Sequence, residues 1–394
     1  MSFRYASGIN KPGFNPLAAG VDQYKGIWSL AGQANAVAAG TWTGLPYLYS
    51  WGANGSGQLG LGNVANRSSP NQVGALTAWL NIAGGYLHTI ATKTDGTLWT
   101  WGNNGSGRLG LGNVTNYSSP KQVGALTGWS KVAGGGNFTI ATKTDGTLWS
   151  WGNNSQGQLG DGTSVNKSSP VQVGALTAWL NIACGYTYTI ATKTDGTIWG
   201  WGTNLSGQLG LGNTTNYSSP KQIGALTAWL AVACGRRHTM ATKTDGTLWS
   251  WGANINGALG LGNTTYYSSP KQIGALTTWS KVAGGDAFSV AINTSGAIWT
   301  WGQNNLGQLG LGDITNKSSP NQVGALTTWL SVAAGYSTVA TKTDGTLWVW
   351  GTNSFGELGL GNITNYSSPK QVGAITTWTT IAAGDNHIIA IAKP

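Results

Sequence analysis

WGANGSGQLGLGNVANRSSPNQVGALTAWLNIAGGYLHTIATKTDGTLWT, residues 51–100, returns almost unaltered from Trp101, Trp151, Trp201, Trp251, Trp301 and Trp350. The first five steps are 50 residues long and the sixth is 49. The lost residue falls in the sixth unit, where AAGYSTVATK (333–342) replaces the AGGYLHTIATK type (83–93). A fixed period of this size marks an architecture of stacked repeats. A single unit is too small to bury a core, so each must pack on its neighbours.

Within a unit the pattern is that of short strands. LWTWG (98–102) alternates around two tryptophans, and Asp95-Gly96 ahead of it is a strong hairpin signal. HTIATK (88–93) is β-branched and alternating, and WLNIA (79–83) reads as a third strand. PKQVGAL (120–126) reads as a proline-led outer strand, since edge strands tolerate proline. Four strands per unit, with Gly-rich turns and no helical period, predict the blade of a propeller. The last unit ends IAAGDNHIIAIAKP without its own TDGTLWSWG strand, and the matching piece, LPYLYSWG (45–52), precedes the first full unit. The expected fold is therefore an all-β, closed seven-bladed β-propeller over residues 46–394, its ring closed by an N-terminal strand. Residues 1–45 form a separate arm, irregular around Pro12 and Pro16, with a short helix expected over Ser29–Ala38.

Composition narrows the function. Of the 394 residues 40% are hydrophobic, and only 8% are charged, against about 25% in an ordinary domain. Surface must be built largely from Asn, Ser, Thr, Gln and Gly, with little charge to keep copies apart. The net charge of +10 comes from lysines spaced singly at repeat positions, apart from Arg236-Arg237. That scatter is a poor footprint for nucleic acid, and no nucleic-acid partner is expected. No apolar run is long enough to span a membrane, so no insertion is expected, and the start lacks a signal-peptide core.

No enzyme is expected. The chain has one glutamate, Glu357, and three histidines, His88, His238 and His387. The histidines share one repeat position with Phe138, Tyr188 and Phe288, which suits packing rather than proton transfer. Phosphate-binding, nucleophile-elbow and paired-carboxylate motifs are missing, and no cofactor or metal is expected. Cys184 and Cys234 occupy a position filled elsewhere by glycine or alanine, and so read as a tight site for small side chains. Trp99, Trp101 and their copies are read as blade-to-blade packing with bonded indole N–H groups, and the repeated aspartates as turn residues.

The motifs WGxNxxGQLGLG, SSPxQV and VAxGxxHTxAxxxDGxxWxWG resemble the regulator of chromosome condensation repeat family across the whole repeat body. The resemblance implies a seven-bladed propeller closed by a strand from the opposite terminus. Family members include a nucleotide-exchange factor for a small GTPase, ubiquitin-ligase domains and a bacterial inhibitor of β-lactamases, so it implies fold more than function. Exchange-factor members use a wedge or insertion, and this chain has no insertion in any unit. The arm segment YKGIWSLAGQANAVAAGTW (24–42) resembles a segment near the ends of tailed-phage structural proteins. That resemblance implies a virion protein docked to other virion proteins through the arm, with Tyr24, Ile27, Trp28, Leu30 and Trp42 as anchors.

Positions that vary on the repeated scaffold are the candidates for recognition. One set precedes the histidine slot and includes Tyr86, Tyr186, Arg236, Arg237, Asp286 and Asp385. A second follows WGxN, including Leu205, Ile255 and Phe355. A third, before SSP, holds Tyr117, Tyr217, Tyr267 and Tyr366. The leading expectation is a non-enzymatic virion component whose propeller presents these loops to a host-surface glycan or protein. The alternative is a soluble propeller module, inhibitor- or adaptor-like, that grips a protein partner on one ring face.

Overall fold

The computed structural model describes residues 45–394, which form one compact unit. The arm lies outside the described residues, and with it the helix expected over Ser29–Ala38 and the anchor positions Tyr24, Ile27, Trp28, Leu30 and Trp42.

The chain folds as seven four-stranded antiparallel sheets, one per repeat. The first blade runs Trp79–Gly84, His88–Lys93, Leu98–Gly102 and Tyr117–Gln122 from the axis outward. Five further blades repeat it. The seventh is assembled from both ends of the repeat body. Trp378–Ala383 and His387–Ala392 supply its inner strands, and Tyr47–Gly52 and Arg67–Thr77 its outer ones. Tyr47–Gly52 pairs along its full length with His387–Ala392. Closure thus takes two strands from the N-terminal side, one more than the motif count suggested.

Outer strands begin earlier than expected. The strand is Tyr117–Gln122, and Gly124-Ala125-Leu126 belongs to the connection to the next blade. Proline 120 sits inside the strand, where the register with the third strand slips between Thr100 and Gly102. A bulge on an edge strand needs no N–H from that residue, which is why proline fits.

The core lies between blades. Seven apolar clusters fill the seven blade interfaces. One of them joins Ile90, Leu98 and Val123 of one blade to Trp129, Ala141 and Trp151 of the next. Within it, Trp129 meets Trp149 and Trp151 edge-on at 6.0 Å, the arrangement the ring quadrupoles favour.

The glycine-rich connection after WGxN clips successive blades together. Asn54 is fully buried in it, donating from Nδ2 to the Asn63 and Ala65 carbonyls at 3.0 Å and accepting from Leu59 N–H at 3.0 Å. The Gln58 carbonyl then accepts from Thr89 Oγ1 at 2.7 Å and from the indole Nε1 of Trp101 at 2.9 Å, both on the following blade. Gly60 has φ +72°, and a Cβ there would lie 2.7 Å from that same indole nitrogen. Only glycine fits.

Trp99 lies in the same interface as Trp101 but stays half-buried, with Nε1 bonded to Thr97 Oγ1 at 2.9 Å. Not every indole is bonded. Ala297 replaces that threonine in the fifth blade, and Trp299 Nε1 has no partner among the described residues.

Candidate binding face

Because neighbouring strands run antiparallel, each blade sends two of its connections to one end of the ring. These are the turn between the first two strands and the WGxN loop. Tight Asp-Gly hairpins and the links between blades lie at the other end. At the first end the innermost strands stop at Gly84, Gly134, Cys184, Cys234, Gly284, Ala334 and Ala383 and turn around a cavity of about 160 Å³.

The turn places one residue per blade around the axis: Tyr86, Gly136, Tyr186, Arg236, Asp286, Tyr336 and Asp385. Their backbones are tied blade to blade. Tyr86 N–H donates to Gly135 O at 3.2 Å, Gly136 to Tyr186 O at 3.0 Å and Tyr186 to Arg236 O at 3.3 Å. Arg236 donates to Gly285 O at 3.2 Å, Asp286 to Gly335 O at 3.1 Å and Tyr336 to Asp385 O at 3.0 Å. These six bonds tie successive turns from the first blade to the seventh through the main chain, so the side chains they carry are free to differ.

Side chains at the mouth form one network. The Arg236 guanidinium stacks 4.6 Å from the Tyr186 ring centroid. Its Nη1 lies 3.2 Å from Asp286 Oδ1 and 3.3 Å from Tyr336 Oη. Tyr86 meets Tyr186 edge-on at 5.9 Å. Tyr186 folds over Gly136, where a Cβ would lie 2.8 Å from the Tyr186 ring. Burial works against the Arg236 charge, but Asp286, with Tyr336 and Asp385 adding to it, holds the guanidinium above its usual value. Burial first, then the Asp286 carboxylate, pushes Asp385 up to about 7, with Arg236 opposing. The Tyr336 phenol is pushed up to about 12, by burial and then by Asp286 and Asp385.

The candidate residues therefore divide. Tyr86, Tyr186, Arg236, Asp286 and Asp385 converge on the cavity. Arg237 does not: it is exposed and stands outside the cavity lining, so the Arg236-Arg237 pair is not one basic cluster. Tyr117, Tyr217, Tyr267 and Tyr366 stand apart at the start of the outer strands. Lys121, Lys221, Lys271 and Lys370 place their ammonium groups 5.4, 5.6, 5.5 and 5.4 Å from those rings. Their hydroxyls lie 3.2–3.4 Å from asparagine side chains of the preceding loops. Leu205, Ile255 and Phe355 are exposed in the loops at the same end as the cavity.

Tyr336 was missed among the candidates because the sixth unit is one residue short. Its GY pair, equivalent to Gly85-Tyr86 and Gly185-Tyr186, was the available signal. Arg108 was also missed. It stands where four other units have glutamine (Gln58, Gln158, Gln208 and Gln308) and is buried at 5% exposure, with Nε and Nη1 unbonded among the described residues. Burial pulls it down to about 10.

The histidines pack. His88 Nε2 lies 2.9 Å from Thr139 Oγ1, His238 Nε2 lies 2.9 Å from Ser289 Oγ, and His387 Nε2 lies 3.0 Å from Thr89 Oγ1, each across a blade boundary. Burial lowers His238 and His387 to about 4 and His88 well below its usual value. Both cysteines are free thiols, and burial pushes Cys234 up to about 12. No cluster of metal-ligating side chains occurs, and no helix is long and apolar enough to cross a membrane, among the described residues.

Comparison with known proteins agrees with this architecture. A family model described as RCC1-like domain matches residues 177–394, more than half of the chain. The regulator of chromosome condensation (RCC1) repeat matches residues 47–92, 95–142 and 145–192. Human WBSCR16 is similar, with 22% identity and a TM-score of 0.80 over 88% of this chain and 99% of that one. Yeast RCC1 (Prp20), solved with Kap60, gives 20% identity and a TM-score of 0.80 over 89% of each chain. Prp20p from Saccharomyces cerevisiae, described with its binding to Gsp1p and histones, gives 20% and 0.78 over 89% of this chain and 93% of that one. At such identities the solved structures speak to fold alone. Repeat motifs, blade count and the family match lead to one conclusion: the chain belongs to the RCC1-like domain family.

Proposed function

We propose that this chain is a non-enzymatic, protein-binding propeller that grips a partner with the end of the ring carrying the axial cavity. One observation carries the reading. Seven blades that share one repeated scaffold place seven varied residues, an arginine, two aspartates, three tyrosines and a glycine, around one mouth. Tyrosine and arginine on a rigid scaffold are the residue types that anchor protein interfaces. The exposed Leu205, Ile255 and Phe355 extend the same face outward. Prp20p, which has this fold, is described as binding Gsp1p and histones, which supports a protein as the class of partner.

The test is capture of a partner at fixed stoichiometry by the full chain, repeated with Arg236→Ala and Asp286→Ala. Loss of capture in both variants is expected. Unchanged capture would move the interface to another surface.

A second reading, a virion component docked through residues 1–45 with its propeller turned to the host surface, is favoured by the arm segment YKGIWSLAGQANAVAAGTW. Co-sedimentation of the natural protein with virus-sized particles, at fixed copy number, would support it. Recovery only as free chain would exclude it.

A further inference from the structure

The axial mouth already contains one arginine site, occupied by a residue of the chain itself. Arg236 lies over the face of Tyr186, ion-paired with Asp286 and in reach of the Tyr336 hydroxyl. An aromatic face, a carboxylate and a phenol are the groups that hold a guanidinium. Continuing around the ring, the same types recur: Tyr336, then Asp385, then Tyr86. Asp385 makes no side-chain hydrogen bond or ion pair among the described residues, since the one arginine at the mouth is committed to Asp286. Cavity volume of about 160 Å³ is room for about five waters, enough for a guanidinium and the methylenes beside it.

We infer that the axial cavity is a binding pocket for the guanidinium of an arginine side chain presented by a protein partner, held by Asp385 between Tyr336 and Tyr86. The inference rests on the proposed protein-binding role and names the anchor that the partner inserts. Docking there pairs a half-buried carboxylate that otherwise resists ionisation, so the bound state favours the charged form of Asp385. The charged and titratable groups facing it are Asp286, Arg236, Tyr336, Tyr86 and Tyr186, with His387 two residues on held neutral by burial. Asp385 is pushed up to about 7, so affinity for a cation rises with pH through neutrality.

Calorimetric titration of the full chain with Nα-acetyl-arginine amide tests this without knowledge of the partner, with the neutral isostere Nα-acetyl-citrulline amide as control. Expected are saturable one-to-one binding of the arginine probe at pH 8 and at least tenfold weaker binding of the citrulline probe. With Asp385 near 7, affinity at pH 6 should fall about tenfold. Asp385→Asn should weaken the arginine probe at least tenfold while its tryptophan near-ultraviolet signal stays native. Equal binding of the two probes, no saturation at millimolar arginine probe, or an unchanged affinity from pH 8 to 6 in the native chain overturns the inference, and the pH series needs no variant to fold. Partner capture that persists while the arginine probe fails would remove this pocket and leave the protein-binding role standing. Loss of capture in Arg236→Ala and Asp286→Ala, together with saturable binding of the arginine probe by the native chain, supports both the protein-binding role and this pocket, since both place the partner on the same face.

Discussion

The two ends of the ring solve the same problem in opposite ways. At the hairpin end, side chains complete the turns. Asp95 Oδ1 accepts from Thr97 N–H at 2.9 Å and from Thr97 Oγ1 at 2.6 Å, which lowers its pKa, and four other blades repeat the arrangement. The link between blades adds one exposed leucine or isoleucine per blade, from Leu76 to Ile375, each at the same place. At the cavity end the WGxN loops likewise rest on buried asparagines such as Asn54, but the turns between the first two strands are tied by main-chain bonds between blades, and their axial side chains have no turn to hold. Where side chains satisfy the backbone they cannot change, and where the backbone satisfies itself they can.

Substitutions sharpen that contrast, the largest effect coming from the invariant body. Trp201 is fully buried against Phe138, Ile140 and Leu148 of the preceding blade, and its indole donates to the Gln158 carbonyl at 3.0 Å. Trp201→Ala should cost about 3–5 kcal/mol, read by urea unfolding, with a loss under 1 kcal/mol refuting the view that blade interfaces hold the core.

The second effect depends on pH. His238 has a folded value of about 4 against 6.5 in the free side chain. Its contribution is complete above the unfolded value and is lost as pH falls toward the folded one, because the unfolded chain takes the proton first. His238→Phe, matching Phe138 and Phe288 in the same buried slot, should reduce the stability lost between pH 7 and 5 by roughly 1–2 kcal/mol. Parallel stability curves for the two proteins would show that this histidine does not titrate on unfolding.

A smaller gain is expected from restoring the repeat at Arg108. Gln58, Gln158 and Gln208 accept a backbone N–H through Oε1 at 2.8–2.9 Å, which a guanidinium cannot do. Arg108→Gln should therefore stabilise by about 1 kcal/mol, seen as a higher denaturation midpoint. Destabilisation would mean that the buried guanidinium has a role in the native site. Smallest of all, Arg237→Ala should change stability by less than about 0.5 kcal/mol and leave capture intact, while Arg236→Ala does not. Equal effects would restore the two arginines to a single patch.

Much of this was legible in the repeat. Three of the four strands of a blade, the hairpins and the closed ring follow from period, alternation and Asp-Gly turns. Those signals are local, and the same local pattern occurs in every unit. The outer strand was misplaced because Pro120 reads as a strand start, and only the bulge opposite Thr100 and Gly102 shows that the pairing passes through it. The candidate site was half legible. Varying positions could be picked out, but Tyr86, Arg236 and Asp385 on the one hand and Tyr117 and Tyr366 on the other were equivalent candidates.

By itself, the sequence determined a ring of seven blades and the positions free to differ, because repeated local patterns dictate repeated local structure. Which of those positions meet was decided only by closing the ring. Residues 50 to 300 apart in the chain, Tyr86 and Asp385 among them, come to line one cavity at the axis because Tyr47–Gly52 pairs with His387–Ala392 and closes the ring, a contact that no local pattern encodes.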